Sequence, residues 1–273
     1  MVSTTTQEVL MYPKLAVEAL PLSAVERIFH LARIEDTDWE DTDWALLRAP
    51  LEIADHCTTI LKMVEAAISR SDGRPDIAVR LRLGILLTTI YATPPNPHSP
   101  NLTPIPMSSK SPFLFGPVVY KEKTHHLQGS PDWFLWYGPY AEKEKENVAI
   151  NSVIVETEHG RSTDGVPQAL AYMGMIHTQR RAEGKVDSSV FGLSTDNDQF
   201  HFLTIDDKSE WSQLDLNYVH HFQEIVERLA YFHKHASTLS ASDHSDEPQR
   251  AQSVFHAENR GIYAVLVAFS SNK

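Results

Sequence analysis

The chain has 273 residues, 42% of them hydrophobic and 22% charged, which is ordinary for a globular protein and long enough to bury one core with an appended helical region. Its formal net charge is −12, and residues 35 to 43 hold six acids and no base. Proteins that grip duplex nucleic acid through its phosphates usually present a basic face, so this balance disfavours a nucleic-acid partner and favours a small-molecule one. No apolar run approaches the about 18 residues of a membrane span, and the start MVSTTTQEVLMYPK lacks the basic and apolar regions of a signal peptide. An intracellular protein, cytoplasmic or nuclear, with no membrane partner is expected. The single cysteine, Cys57, excludes an internal disulfide and a cysteine-based zinc site, and reads as a packed thiol.

Along residues 12–33 apolar residues recur at helical spacing: Leu15, Val17 and Leu20, then Val25, Ile28, Phe29 and Leu31. Pro21 is expected to divide this stretch into two helices, with Ser23 as a cap. A second helical stretch, 43–69, runs from Trp44 through Leu47, Leu51, Ile53, Ile60, Leu61 and Val64; a third, 75–91, follows the turn SDGRP. Residues 1–92 thus read as an N-terminal helical region. Residues 93–112 are dense in proline and serine and read as a linker or loop, unsuited to a helix or a central strand.

From residue 113 the pattern becomes that of short strands. FLFGPVVY and DWFLWYG are aromatic and β-branched, and NVAINSVIVETE is the strongest strand signal in the chain. VPQALAYMGMIHTQRRAEGK then reads as a helix, with Pro167 in its first turn and Gly184 near its end. Strands SSVFGLSTD and QFHFLTID are joined by the turn DND, and 218–236 reads as a final helix of the core, 113–236. Residues 237–273 hold a polar segment, LSASDHSDEPQRAQ, and a C-terminal strand or tail. The order, helices then β-β-β-α-β-β-α, predicts a mixed sheet flanked by helices, in the α/β or mixed α+β class.

The chemistry concentrates at two strand ends. Asp132 stands where the strand of GSPDWFLW begins, and SVIVETEHG carries an apolar strand into Glu156, Thr157, Glu158 and His159. Side chains at i and i+2 of a strand share a face, so Glu156 and Glu158 can converge, and Asp132 can join them if the two strands are neighbours. Three carboxylates at one place repel unless protonated or metal-bound, and such hard oxygens suit Mg²⁺ or Mn²⁺. No organic cofactor is expected, since there is no P-loop, GxGxxG, GxSxG or zinc signature. His125 and His126 are further acid/base candidates. His220, His221, His233 and His235 lack metal-motif spacing.

The set Pro131-Asp132, Glu156-Thr157-Glu158 and Gln168-Ala-Leu-Ala-Tyr172 resembles the PD-(D/E)XK nuclease superfamily, most closely its RecB-like branch with a QxxxY helix, and a fungal group of PD-(D/E)XK-like proteins. The resemblance covers about residues 113–215 and extends to Asp41-Thr-Asp-Trp44, similar to the start of a family helix that supplies a further acid. It implies a restriction-endonuclease-like central mixed sheet flanked by helices. It also implies a site of Asp132, Glu156, Glu158, Gln168 and Tyr172, with Asp132, Glu156, Glu158 and Asp41 as metal ligands. In active members the third motif ends in lysine, where this chain has Glu158. A lysine would stabilise developing negative charge at a phosphate; glutamate instead offers a ligand or a general base.

Three functions follow from these residues. The first is an enzyme repurposed for acid/base chemistry, with divalent-metal assistance, on a small organic substrate such as one of fungal secondary metabolism. The second is a Mg²⁺-dependent nuclease, and the third a catalytically inactive binding module. If phosphodiester cleavage is the reaction, Glu158→Lys is expected to raise Mg²⁺-dependent nicking of plasmid DNA; absence of nicking by both forms counts against the nuclease.

Overall fold

The computed structural model describes residues 12–35, 55–70, 76–91, 105–108, 113–136, 150–156 and 165–245. Within them, ten strands and five α-helices build a mixed α/β fold. The N-terminal arm comprises β1 (Lys14–Ala16), a 3-10 turn (Val17–Ala19), α1 (Leu22–Phe29) and β2 (Ala32–Arg33). Helices α2 (Asp55–Arg70) and α3 (Asp76–Tyr91) follow, then strands β3 (Ile105–Ser108), β4 (Phe113–Tyr120), β5 (Lys123–Gly129), β6 (Trp133–Trp136) and β7 (Ile150–Glu156). Helix α4 (Gly165–Ala182) leads to β8 (Val190–Thr195), β9 (Gln199–Ile205), β10 (Glu210–Asn217) and α5 (Tyr218–Ser245).

The strands form two sheets. The larger has seven strands in the order β2-β10-β9-β8-β7-β6-β3, and the smaller three in the order β1-β5-β4. In the larger sheet β7 and β8 run parallel, joined by the crossover through α4, and β10 runs parallel to β2; its remaining pairs are antiparallel. Two apolar cores result. On one face α4, α1 and the small sheet pack over Val190, Leu203, Ile205 and Trp211. On the other, α3 and α5 cover Phe191, Leu193, Phe200 and Phe202. The alternation of neighbours along β8 and β9 follows from the two-residue period of a strand.

Helix α4 is buried nearly all round, including Ala169, Leu170, Tyr172, Met173 and Ile176. A helix of that kind needs cover on every side. Two glycines permit its close approach: a Cβ at Gly174 would lie 2.6 Å from the Phe29 ring of α1, and one at Gly192 on β8 would collide with Met173.

Several sequence expectations change. Lys14–Ala16 is a strand, because its backbone pairs in parallel with His126–Gln128 of β5; in the first stretch only Leu22–Phe29 is α-helical, preceded by the 3-10 turn Val17–Ala19. Its N-cap is Pro21, with no side-chain cap, and Ser23 lies inside the helix. The proline-rich 93–112 contains β3, an edge strand beyond β6, where Pro106 is tolerated because only one side of the strand is paired. Strands β5 and β10 were not expected from KTHHLQG and EWSQLDLN, and α5 continues past residue 236 to Ser245. Residues 43–54, part of the second helical stretch, and the tail 246–273 lie outside the described residues.

One buried cation ties the helical layer to the sheet. Arg82 of α3 donates from Nη1 to the Asn197 carbonyl at 2.5 Å in the β8–β9 turn, and its Nη2 lies 2.7 Å from Glu65 Oε1 of α2. The guanidinium also sits 4.3 Å from the centre of the Tyr218 ring at the start of α5. Four elements therefore meet on a planar, always-charged group. Replacing Arg82 by Met keeps the volume but leaves the Asn197 carbonyl without its donor and the Glu65 carboxylate without its counter-charge. We expect Arg82→Met to cost about 2 kcal/mol in urea unfolding; an unchanged midpoint would contradict this role.

Candidate functional site

Strand β6 pairs antiparallel with β7, with Trp133 opposite Ile154 and Phe134 opposite Val153. Continuing that register by one residue sets Asp132 beside Val155, next to the last residue of β7, Glu156. Glu156 is in turn opposite Thr195, at the end of β8. The two strand ends singled out in the sequence are therefore neighbours in the sheet. Of Glu156 only the backbone is described, and Glu158, His159 and Asp41 lie outside the described residues.

Helix α4 brings Gln168 and Tyr172 to the same place, since residues four apart share a helix face. Tyr172 is fully buried and Gln168 half-buried. Both donate to a single oxygen that the sequence had not singled out, Glu18 Oε1 in the 3-10 turn: Gln168 Nε2 at 3.4 Å and the Tyr172 hydroxyl at 3.5 Å. These are long bonds, at the outer limit of useful geometry. Burial pushes the Tyr172 phenol well above its ordinary pKa, and the nearby Glu18 and Asp132 carboxylates push it further, against the lowering effect of a hydrogen bond with Gln168. Each of these carboxylates disfavours a phenolate, so Tyr172 stays a neutral hydrogen-bond donor at physiological pH.

The structure thus gathers Asp132, Gln168 and Tyr172, and adds Glu18. The surroundings of Glu18, VEA between a short strand and a proline, carry no motif; only the tertiary approach of the N-terminal arm to α4 makes it visible. Gly129, at the end of β5, gives the site its room. A Cβ there would collide with the Tyr172 hydroxyl and lie 3.1 Å from the Val17 Cβ.

Other candidates fall elsewhere. His126 sits on β5 with its ring bonded to the Phe115 carbonyl, and His220 and His221 are exposed at the start of α5. Cys57 is a packed thiol that accepts a hydrogen bond from the Thr89 hydroxyl at 3.1 Å. A separate pair, the buried His201 through Nδ1 and the exposed Asp215 through Oδ1 at 2.6 Å, lies on β9 and β10, and the hydrogen bond from His201 holds the Asp215 carboxyl below its usual range. Among the described residues no group of three His, Cys, Asp or Glu side chains is assembled as a metal site. No described helix is long and apolar enough to cross a membrane.

No known family model matches the chain, and no curated protein matches it.

The Gly129 contact yields a direct check of this geometry. Gly129→Ala is expected to destabilise the protein by about 2 kcal/mol through overpacking against Tyr172. In a Tyr172→Phe background, which removes the colliding hydroxyl, the cost should fall by roughly half or more. Equal costs in both backgrounds, read from chemical unfolding, would show that the hydroxyl does not sit over Gly129.

Proposed function

We propose that this chain is an enzyme on a PD-(D/E)XK-like scaffold that performs acid/base chemistry, with divalent-metal assistance, on a small organic substrate. The observation that carries the proposal is the meeting of two carboxylates, Glu18 and Asp132, around a buried neutral phenol, Tyr172, beside the end of β7. Three separate elements supply these groups, which is how a site rather than a surface ion cluster is built.

The described donors are hard oxygens from two chain segments, which fits Mg²⁺ or Mn²⁺, ions that bind through one or two carboxylates and keep several waters. Asp132 and Glu18 would hold the ion, with Glu156 as a further ligand from the neighbouring strand end. Bound there, it would act as a Lewis acid and lower the pKa of a bound water. Asp132 and Glu156 can equally hold a cationic group of the substrate. Gln168 and Tyr172 orient the substrate, since each has a donor that now spends itself on a long bond to Glu18. Glu158 is the proton-transfer group: like charges raise a carboxyl pKa toward neutrality, where general acid/base catalysis works best.

Mg²⁺-dependent phosphodiester cleavage is the second reading, favoured by the adjacency of Asp132 to the end of β7 at Glu156 in the antiparallel β6–β7 pair. The charge of −12 and glutamate at the lysine position weigh against it.

Calorimetric titration with Mn²⁺ tests the site. Wild type is expected to bind one ion, with Asp132→Ala and Glu18→Gln each weakening binding by about tenfold or more. Glu158→Gln should fold as wild type does yet turn over no small-molecule substrate. Equal binding by wild type and both ligand variants would remove the metal from the account, and unchanged turnover by Glu158→Gln would remove its proton-transfer role.

A further inference from the structure

We propose that the two ends of the N-terminal arm, residues 12–16 and 30–35, are acid-sensitive clips, each closed by a buried neutral histidine, that open at mildly acidic pH while α1 stays seated. At the first end, Lys14 of β1 is opposite His126 of β5, and the His126 amide donates to the Pro13 carbonyl at 3.0 Å. The His126 ring lies 5.6 Å from that of Tyr12, and its Nε2 is buried with no hydrogen-bond partner among the described residues. At the second end, the Ala32 amide donates to the Ser209 carbonyl and the Ile34 amide to the Trp211 carbonyl, both at 3.0 Å. Ser209 has a left-handed φ of 69°, a conformation that a serine holds only with support. That support comes from α4: Ser209 Oγ lies 2.9 Å from His177 Nε2 and accepts from Arg181 Nη1 at 2.6 Å.

The hydrogen bonds fix the protonation state of His177. Its Nδ1 must donate to the Ser188 carbonyl at 2.9 Å, because a carbonyl cannot donate. Nε2 can then accept from the Ser209 hydroxyl, and every partner is satisfied with a neutral ring. Adding a proton at Nε2 would point a second cationic donor at Ser209 Oγ and leave the serine hydrogen without its acceptor. Around the ring, Arg181 and Arg180 on α4 oppose a further positive charge, while the Ser188 carbonyl and Asp206 of the β9–β10 turn favour it. Around His126, Lys14 on β1 opposes protonation, the Tyr12 ring lies against the imidazole, and on β4 the Phe115 carbonyl is the favourable partner. Burial is the largest influence on both rings and holds both below the ordinary histidine pKa.

The sign follows. In the opened form each ring regains an ordinary pKa near 6.5 and binds a proton that the closed form refuses. Closure is therefore complete above about pH 6.5 and weakens as pH falls from there toward the lowered value, by about tenfold per unit of lowering. This weakening acts on strands of only two or three residues, whereas α1 is held independently by Val25 and Phe29, buried in the core with α4. Because β1 runs directly into the turn that carries Glu18, opening the first clip slackens the tether that sets Glu18 against Gln168 and Tyr172. That consequence rests on the site proposed above; the opening itself does not.

Hydrogen exchange of the full chain, followed by mass spectrometry at pH about 7.5 and about 5.5 with intrinsic rates corrected, reads the clips directly. The expected result is a gain of about tenfold per unit of pKa lowering in peptides covering 12–16 and 30–35, with 22–29 unchanged. His126→Gln should flatten the first response alone and His177→Gln the second alone. No gain at either end, an equal gain across α1, or the same gain in the glutamine variants would overturn the proposal. Should a variant fail to fold, imidazole titration of wild type by NMR decides: both rings must titrate below the ordinary histidine value, and ordinary titration of either overturns its clip.

Discussion

Burial of α4 on almost every side is the constraint on which the rest of the structure depends. A helix with Ala169, Leu170, Tyr172, Met173 and Ile176 all buried cannot lie on a single sheet face with its other side in water. The large sheet covers one side, and the small sheet with α1 covers the other. Such a second layer has to come from somewhere, and the chain supplies it by folding residues 12–33 back over α4 and placing β1 beside β5. The candidate site is a by-product of this arrangement, because the turn joining β1 to α1 is what sets Glu18 over the Gln168–Tyr172 face. Without the demand for cover on α4, an acid at position 18 would be an ordinary surface residue.

The fold was legible where local pattern and tertiary role agree. The alternating QFHFLTID is a strand because its side chains face packed layers, and those layers are visible as hydrophobicity; the apolar run into Glu156 is a strand as its hydrophobicity predicts. KTHHLQG and EWSQLDLN were illegible as strands because each has a largely polar face: Thr124, His126 and Gln128, and Gln213 and Asp215, occupy positions that composition assigns to loops. Their pairing with neighbours, and not propensity, makes them strands. Lys14–Ala16 was misread in the same way, since three residues cannot show a period and β5 decides their conformation. Proline-rich 93–112 hid an edge strand for a related reason: an edge leaves one row of backbone groups free, so Pro106 costs little.

The site divides along the same line. Asp132 could be named from the sequence because a strand start is a local fact, and Gln168 and Tyr172 because their spacing resembles a QxxxY helix. Glu18 could not, being brought in from about 150 residues away by the cover that α4 requires. The electrostatics were foreseeable only in outline. Crowded carboxylates were expected to raise one another, while the described consequence is a phenol held neutral by burial, with Glu18 and Asp132 as lesser influences. A neutral donor between carboxylates is a sensible neighbour for a substrate heteroatom, and a poor one for a phosphate already facing a chain of charge −12.

The most direct measurement is a crystal soaked in Mn²⁺ and read by anomalous scattering. The account predicts one strong peak bounded by the Asp132 and Glu18 carboxylates, beside the end of β7 and within a water's reach of the Tyr172 hydroxyl. A peak held by other residues, or none at a Mn²⁺ concentration that calorimetry shows to be saturating, would contradict it.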